Sequence, residues 1–129
     1  MSFDMCMALF NFGEFKLHSG ASSNFKIDCD ALTDDDWKSL AFLASTRLAP
    51  YKDVVGVPRG GLTLAFHLQR FCDPSATKLL LADDVFTTGS SMEYWRNQYD
   101  GVEHIGLVVF ARRNRYDVPA WITPLFCME

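Results

Sequence analysis

Between Lys78 and Tyr99 the chain reads as a strand, a loop and a helix in unbroken succession, and this order constrains the fold more than any other stretch. Lys78 to Ala82 is a short, continuously apolar strand, Asp83 to Gly89 has no apolar periodicity and reads as a loop, and Ser90 to Tyr99 places Met92, Trp95 and Tyr99 on one helical stripe. Continuous apolarity marks a strand covered on both faces, as in parallel sheets whose crossovers are helices. The same order stands upstream: Asp53-Val54-Val55-Gly56-Val57 is a β-branched strand, Pro58-Arg59-Gly60-Gly61 turns the chain, and Leu62 to Phe71 reads as a helix. Ile105 to Ala111 supplies a further strand and Trp121 to Phe126 a last one. Ahead of them Thr33 and Asp36 make a capping box before Trp37, Leu40, Ala41, Ala44 and Leu48, so a helix is predicted from about 34 to 49, ending near Pro50. Alternation of this kind predicts an α/β chain with a mostly parallel sheet and right-handed crossovers.

The N-terminal thirty residues follow a different pattern. Met1, Met5, Ala8, Leu9 and Phe12 have helical spacing, which predicts a short helix. Glu14 to Leu17 and Phe25 to Asp28 then read as extended pieces joined by the turn-rich Ser19 to Asn24, a hairpin signal. No repeat, low-complexity tract or Pro/Gly-rich linker divides the 129 residues, so one domain is expected, with 1–30 as an appended segment and 31–129 as the α/β core. Hydrophobic residues at 49% and charged residues at 22% suit a globular chain with a real core.

Charge and cysteines narrow the function. A formal net charge of −4 gives no basic field for a long polyanion, so nucleic acid is not an expected partner, whereas a small anion needs only local donors. Cys6, Cys29, Cys72 and Cys127 are widely and irregularly spaced, with no CxxC pair, and are read as buried thiols. Asp4 stands where a signal peptide wants basic residues and no apolar run approaches the roughly 18 residues of a membrane span, so a cytoplasmic protein with no membrane contact is expected.

In parallel sheets ligands bind beyond the carboxyl ends of the strands, which is where both glycine-containing loops fall. The second, Asp83-Asp84-Val85-Phe86-Thr87-Thr88-Gly89-Ser90-Ser91, has small and hydroxylated residues that leave main-chain N–H groups free at a helix N-terminus, a geometry that holds a phosphate monoester. Two adjacent carboxylates just before that cradle suit sugar hydroxyls and a Mg²⁺ ion. An ordinary helix cap would need one such residue, not the whole run. A P-loop is excluded because Gly60-Gly61 is not followed by Lys and Ser/Thr.

The thirteen residues Leu79 to Ser91 resemble the phosphoribosyl-diphosphate motif of type I phosphoribosyltransferases. The resemblance implies that family's Rossmann-like fold, with Asp83 and Asp84 holding the ribose and Mg²⁺, and Val85, Phe86, Thr87, Thr88, Gly89, Ser90 and Ser91 holding the 5-phosphate. Gly56-Val57-Pro58-Arg59-Gly60-Gly61 is similar to the family's pyrophosphate loop, in which Val57, Pro58, Gly60 and Gly61 would offer the backbone and Arg59 the basic side chain to the leaving group. Phe12 to Gly20 with Phe25 to Asp28 is similar to the N-terminal hood of orotate phosphoribosyltransferases, which covers the base. That resemblance sets His18, Phe25 and Lys26 near a pyrimidine and Arg112 near its carboxylate; hairpin packing for His18 and Phe25, and a solvated charge for Lys26 and Arg112, are the competing readings. Ala120 to Leu125 is similar to the base-stacking segment of purine-type members, which makes Trp121 a candidate, against an ordinary core tryptophan.

The family resemblance implies transfer of phosphoribosyl from phosphoribosyl diphosphate to a nucleobase, of the orotate type, with a purine base as the alternative acceptor. The departure is between 62 and 78, where full members insert a strand pair and a mobile cationic lid and this chain has room only for a helix and a short turn. His18 also replaces the Lys usual in orotate enzymes. A binding or regulatory module without turnover is therefore the competing class. Because those lids often come from a partner subunit, the resemblance also implies a homodimer.

Overall fold

The computed structural model describes the backbone of residues 10–16 and 22–27 and the chain from 29 to 127. Four strands, β3 (Asp53–Gly56), β4 (Leu79–Phe86), β5 (His104–Ala111) and β6 (Ile122–Cys127), lie in the order β3-β4-β5-β6, every neighbouring pair parallel. Three helices, α1 (Asp34–Ser45), α2 (Leu62–Leu68) and α3 (Ser90–Asn97), cover the sheet. A separate antiparallel hairpin joins β1 (Phe10–Lys16) to β2 (Ser22–Ile27), with Phe12 opposite Phe25 and a register irregularity between Phe12 and Phe15.

Alternation along the strands divides the core in two. Leu80 and Ala82 of β4, with Leu107 and Val109 of β5, pack under Trp37, Ala41, Ala44, Leu64 and Leu68 of α1 and α2. Leu79 and Leu81 of β4, with Val108 of β5, pack on the other side with Met92 of α3, Val118 and Ile122. Trp95 and Tyr99 are half-buried against this second cluster, so the predicted inward stripe of α3 is found. The Tyr51 hydroxyl, buried between the layers, donates to Leu68 O at 2.7 Å, and His67 of α2 meets Asp34 of α1 at 2.7 Å.

The capping box of α1 forms as the sequence predicts: Asp36 N donates to Thr33 Oγ1 (3.1 Å) and Thr33 N to Asp36 Oδ2 (2.9 Å). The helix stops at Ser45, not 49, because the Ser45 and Thr46 hydroxyls bond the carbonyls of Phe42 and Leu43 and the chain leaves through a turn. The helix after β3 is α-helical only to Leu68 and closes as a 3-10 turn at Gln69–Phe71, and α3 ends at Asn97, two residues short of Tyr99. β4 extends to Phe86, so Asp83, Asp84, Val85 and Phe86, expected in a loop, are strand residues. The pairing of Asp83 with Val108, Val85 with Phe110 and Phe86 with Ala111 overrides the poor strand propensity of the two acids. At the N-terminus, Phe10 to Phe12 belong to β1 and not to a helix; the remainder of that predicted helix lies outside the described residues. Among the cysteines Cys29 is buried and Cys72 half-buried, but Cys127 is exposed because it ends the edge strand β6; Cys6 lies outside the described residues. Among the described residues no helix is long and apolar enough to cross a membrane.

Candidate functional site

Because β3 and β4 are parallel neighbours, the segments that follow them leave from the same sheet edge. Val57 N donates to Ala82 O (2.8 Å) and Gly61 N to Val57 O (2.8 Å), which folds 57–61 into a tight turn against β4. The turn demands glycine twice, for different reasons. A Cβ on Gly61 would fall onto the main-chain oxygen of Ala82 and within 2.8 Å of Val57 N, whereas one on Gly60 would fall onto the Asp84 carboxylate. The loop and the acidic pair thus form one surface. Arg59, on the outer part of that turn, is exposed.

The two acids have different surroundings. Asp83 is 7% exposed and Asp84 half-buried; Asp84 N donates to Asp83 Oδ1 and Val85 N to Asp84 Oδ1, both at 2.8 Å. Burial, reinforced by the neighbouring Asp84 carboxyl, pushes the Asp83 carboxyl up to about 8. A carboxylate so placed favours either a proton or an incoming cation. Among the described residues no group of three or more His, Cys, Asp or Glu could hold a metal ion. A Mg²⁺ here would complete its shell with ligand oxygens and water, which suits an ion that arrives with a phosphorylated substrate.

Beyond β4, Gly89 opens α3 at φ 87°, a conformation that places it at the helix N-cap at no steric cost. The first main-chain bond into α3 runs from Glu93 N to Gly89 O, so the N–H groups of the residues just before Glu93 have no intrahelical acceptor. Among the described residues Ser90 N is met by Thr88 Oγ1 alone, at 3.4 Å, and the Thr88 and Ser90 hydroxyls pair at 2.9 Å. Small side chains, main-chain N–H groups without helical acceptors and a helix N-terminus are the features that anion recognition requires.

The protein superposes on the orotate phosphoribosyltransferase of Aeropyrum pernix with a TM-score of 0.75 at 22% identity, over 95% of this chain and 89% of that one. The chain has the type I phosphoribosyltransferase fold. The orotate phosphoribosyltransferase of Mycobacterium tuberculosis H37Rv gives 0.66 at 18% identity, over 92% and 89% of the two chains. UMP synthase of Leishmania donovani gives 0.73 at 15%, over 93% of this chain but only 34% of that one. No protein-family model matches the sequence, and no curated protein does.

On this phosphoribosyltransferase fold the structure brings together Val57 to Gly61, the acidic pair and the Val85 to Ser91 segment at one edge. Arg112 joins them, since Arg112 N donates to Phe86 O at 2.9 Å. Its half-buried guanidinium is lowered by desolvation from the usual arginine range. Trp121 does not join them. It precedes β6 and lies against Gly106 in the amino-terminal half of the sheet, with the Arg96 guanidinium 4.7 Å from its ring centroid. This is the position of a half-buried packing residue, because β6 enters the sheet there and leaves it at the site edge. His18 lies outside the described residues. Phe25 and Lys26 pair through the β2 backbone with Phe12 and Asn11, and their side chains lie outside the described residues.

Between α2 and β4 the chain has only the 3-10 turn at Gln69–Phe71 and a turn near Asp73, whose carboxylate accepts from Ser75 N and Oγ, so no strand pair intervenes. Sequence reasoning missed one contact: Arg113 Nε donates to Thr87 O at 2.8 Å. The Arg112-Arg113 doublet was its only trace in the sequence.

Proposed function

We propose that the protein binds phosphoribosyl diphosphate and transfers its phosphoribosyl group to a nucleobase, orotate or a related pyrimidine, with release of diphosphate. The observation that carries this reading is the contact of Gly60 with the Asp84 carboxylate, which joins two glycine loops around one acidic pair on a phosphoribosyltransferase fold. The 5-phosphate would sit on the Thr87 to Ser91 cradle, the ribose hydroxyls on Asp83 and Asp84, and the diphosphate on the Val57 to Gly61 amides and Arg59. In the reaction a ring nitrogen of the base bonds to C1 as the bond from C1 to the diphosphate oxygen breaks; the electron pair leaves with diphosphate and the base gives up its proton. Mg²⁺, held by Asp83 and Asp84, would supply charge neutralisation for the leaving group. The orotate-like acceptor is favoured by the likeness of the fold to orotate phosphoribosyltransferases and by the N-terminal hairpin. A homodimer, which would let a second subunit lend cations to the diphosphate, belongs to the same reading.

One observation favours a second reading, a phosphoribosyl-diphosphate sensor without turnover: the short connection from α2 to β4 leaves no chain for a lid over the reacting carbon. One experiment serves both. Phosphoribosyl diphosphate with Mg²⁺ at a hundred times its Kd should add about 2.7 kcal/mol of stability in a thermal melt. Adding orotate, uracil, hypoxanthine, guanine or xanthine in turn and resolving the products should give a nucleotide with one of the pyrimidines. Stabilisation without product selects the sensor, and no stabilisation at millimolar ligand defeats both readings.

A further inference from the structure

We propose that Arg113 is a positioning residue for the phosphate cradle, aiming the Thr88 N–H at the 5-phosphate by holding the Thr87 carbonyl from behind. The inference rests on the cradle's binding ribose 5-phosphate, as proposed above. A trans peptide is planar, with its C=O and the following N–H pointing in opposite directions. The Thr87-Thr88 peptide is trans, because the cis peptide among the described residues is Pro58-Arg59. Arg113 Nε donates to Thr87 O at 2.8 Å, so whichever way that carbonyl is drawn, the Thr88 N–H is turned the other way. Among the described residues Arg113 Nε is the side-chain donor to this carbonyl, in a turn where Thr87 follows the last residue of β4 and Thr88 precedes the N-cap.

The preceding peptide is held from the same side. Arg112 N donates to Phe86 O at 2.9 Å, so two consecutive carbonyls, Phe86 and Thr87, are drawn toward residues 112 and 113. The N–H groups of Thr87 and Thr88 are thereby turned together away from that segment, as convergent donors for one anion. The anchor is itself built to be rigid. Asn114 Oδ1 accepts from Tyr116 N at 2.9 Å, Asp117 N returns to Asn114 O at 2.9 Å, and Val118 is buried in the core cluster under α3. Arginine suits the role because its planar fork fixes the direction of the Nε–H while its charge remains at the mouth of an anion site.

The test uses ribose 5-phosphate and Mg²⁺-diphosphate as separate probes of wild type, Arg113→Ala and Arg113→Gln, by calorimetry on the full chain. Arg113→Ala should weaken ribose 5-phosphate roughly tenfold, the scale of one charge-assisted hydrogen bond, and leave Mg²⁺-diphosphate within twofold. Arg113→Gln, which keeps an N–H donor without the charge, should recover most of the loss. An Ala variant that binds ribose 5-phosphate within twofold of wild type, equal weakening of both probes, or a Gln variant as weak as Ala would overturn the proposal. In ligand-free protein the Thr88 amide resonance should move in Arg113→Ala while resonances in α1 stay in place; an unmoved Thr88 amide overturns the proposal whatever the ligands do. A moved amide in a protein whose wild type binds no ribose 5-phosphate would sustain the positioning role and defeat the functional reading instead.

Discussion

Replacing the two glycines of the first loop one at a time should separate fold from site. In Gly61→Ala the three atoms nearest the new methyl are all main chain: Ala82 O, Val57 N at 2.8 Å and Val57 O at 2.9 Å. None of these can swing aside as a side chain would. Relief requires opening the bonds from Val57 N to Ala82 O and from Gly61 N to Val57 O, about 1 kcal/mol each, with backbone displacement adding roughly 1–3 kcal/mol. The sum, about 3–5 kcal/mol, is a large part of the roughly 5–15 kcal/mol that holds a domain together. The three atoms nearest the methyl of Gly60→Ala all belong to the Asp84 side chain. Asp84 can rotate at the cost of its bond from Val85 N, so stability should fall by about 1 kcal/mol. The rotated carboxylate leaves the ribose side of the site, however, and affinity for phosphoribosyl diphosphate in Mg²⁺ should fall at least tenfold, about 1.4 kcal/mol. Urea unfolding of the ligand-free variants gives the first pair of values and calorimetry the second. A Gly61→Ala protein within 1 kcal/mol of wild type, or a Gly60→Ala protein that binds as wild type does, would refute the contact argument.

Three further outcomes are expected. In metal-free buffer Asp83, raised from the ordinary carboxyl value near 3.9 to about 8, contributes stability that is complete below pH ~4 and is lost, at up to about 1.4 kcal/mol per unit, as pH rises toward ~8. Asp83→Asn should accordingly gain on wild type in urea midpoint between pH 5 and pH 7.5; a gap that stays constant or narrows contradicts the burial argument. Gly89→Val forces a β-branched residue to φ 87° and against the Phe86 ring 2.9 Å away, so it should cost about 1–2 kcal/mol from the backbone alone and abolish ribose 5-phosphate binding; retained binding by calorimetry would show that the cradle is not at Gly89. Asp83→Asn combined with Asp84→Asn should weaken phosphoribosyl diphosphate more with Mg²⁺ present than with EDTA, and an equal loss in both would separate the metal from the acidic pair.

The alternation of strand, loop and helix and the capping box at Thr33 were legible before folding, because each is encoded within one or two turns of chain as apolar period or cap residues. Element ends were less legible. Asp83 to Phe86 are strand because β5 lies beside them with the right register, information that sits some twenty-five residues downstream. The half-buried state of Arg112 and the distance of Trp121 from the site likewise depend on which end of β5 or β6 each residue occupies, and local pattern does not encode that. That Gly60 rests on Asp84, that burial raises the Asp83 carboxyl, and that Arg113 donates to Thr87 O became visible in the folded chain alone. These are contacts between loops that follow different strands, and they exist because a parallel sheet delivers the carboxyl ends of β3, β4 and β5 to one edge.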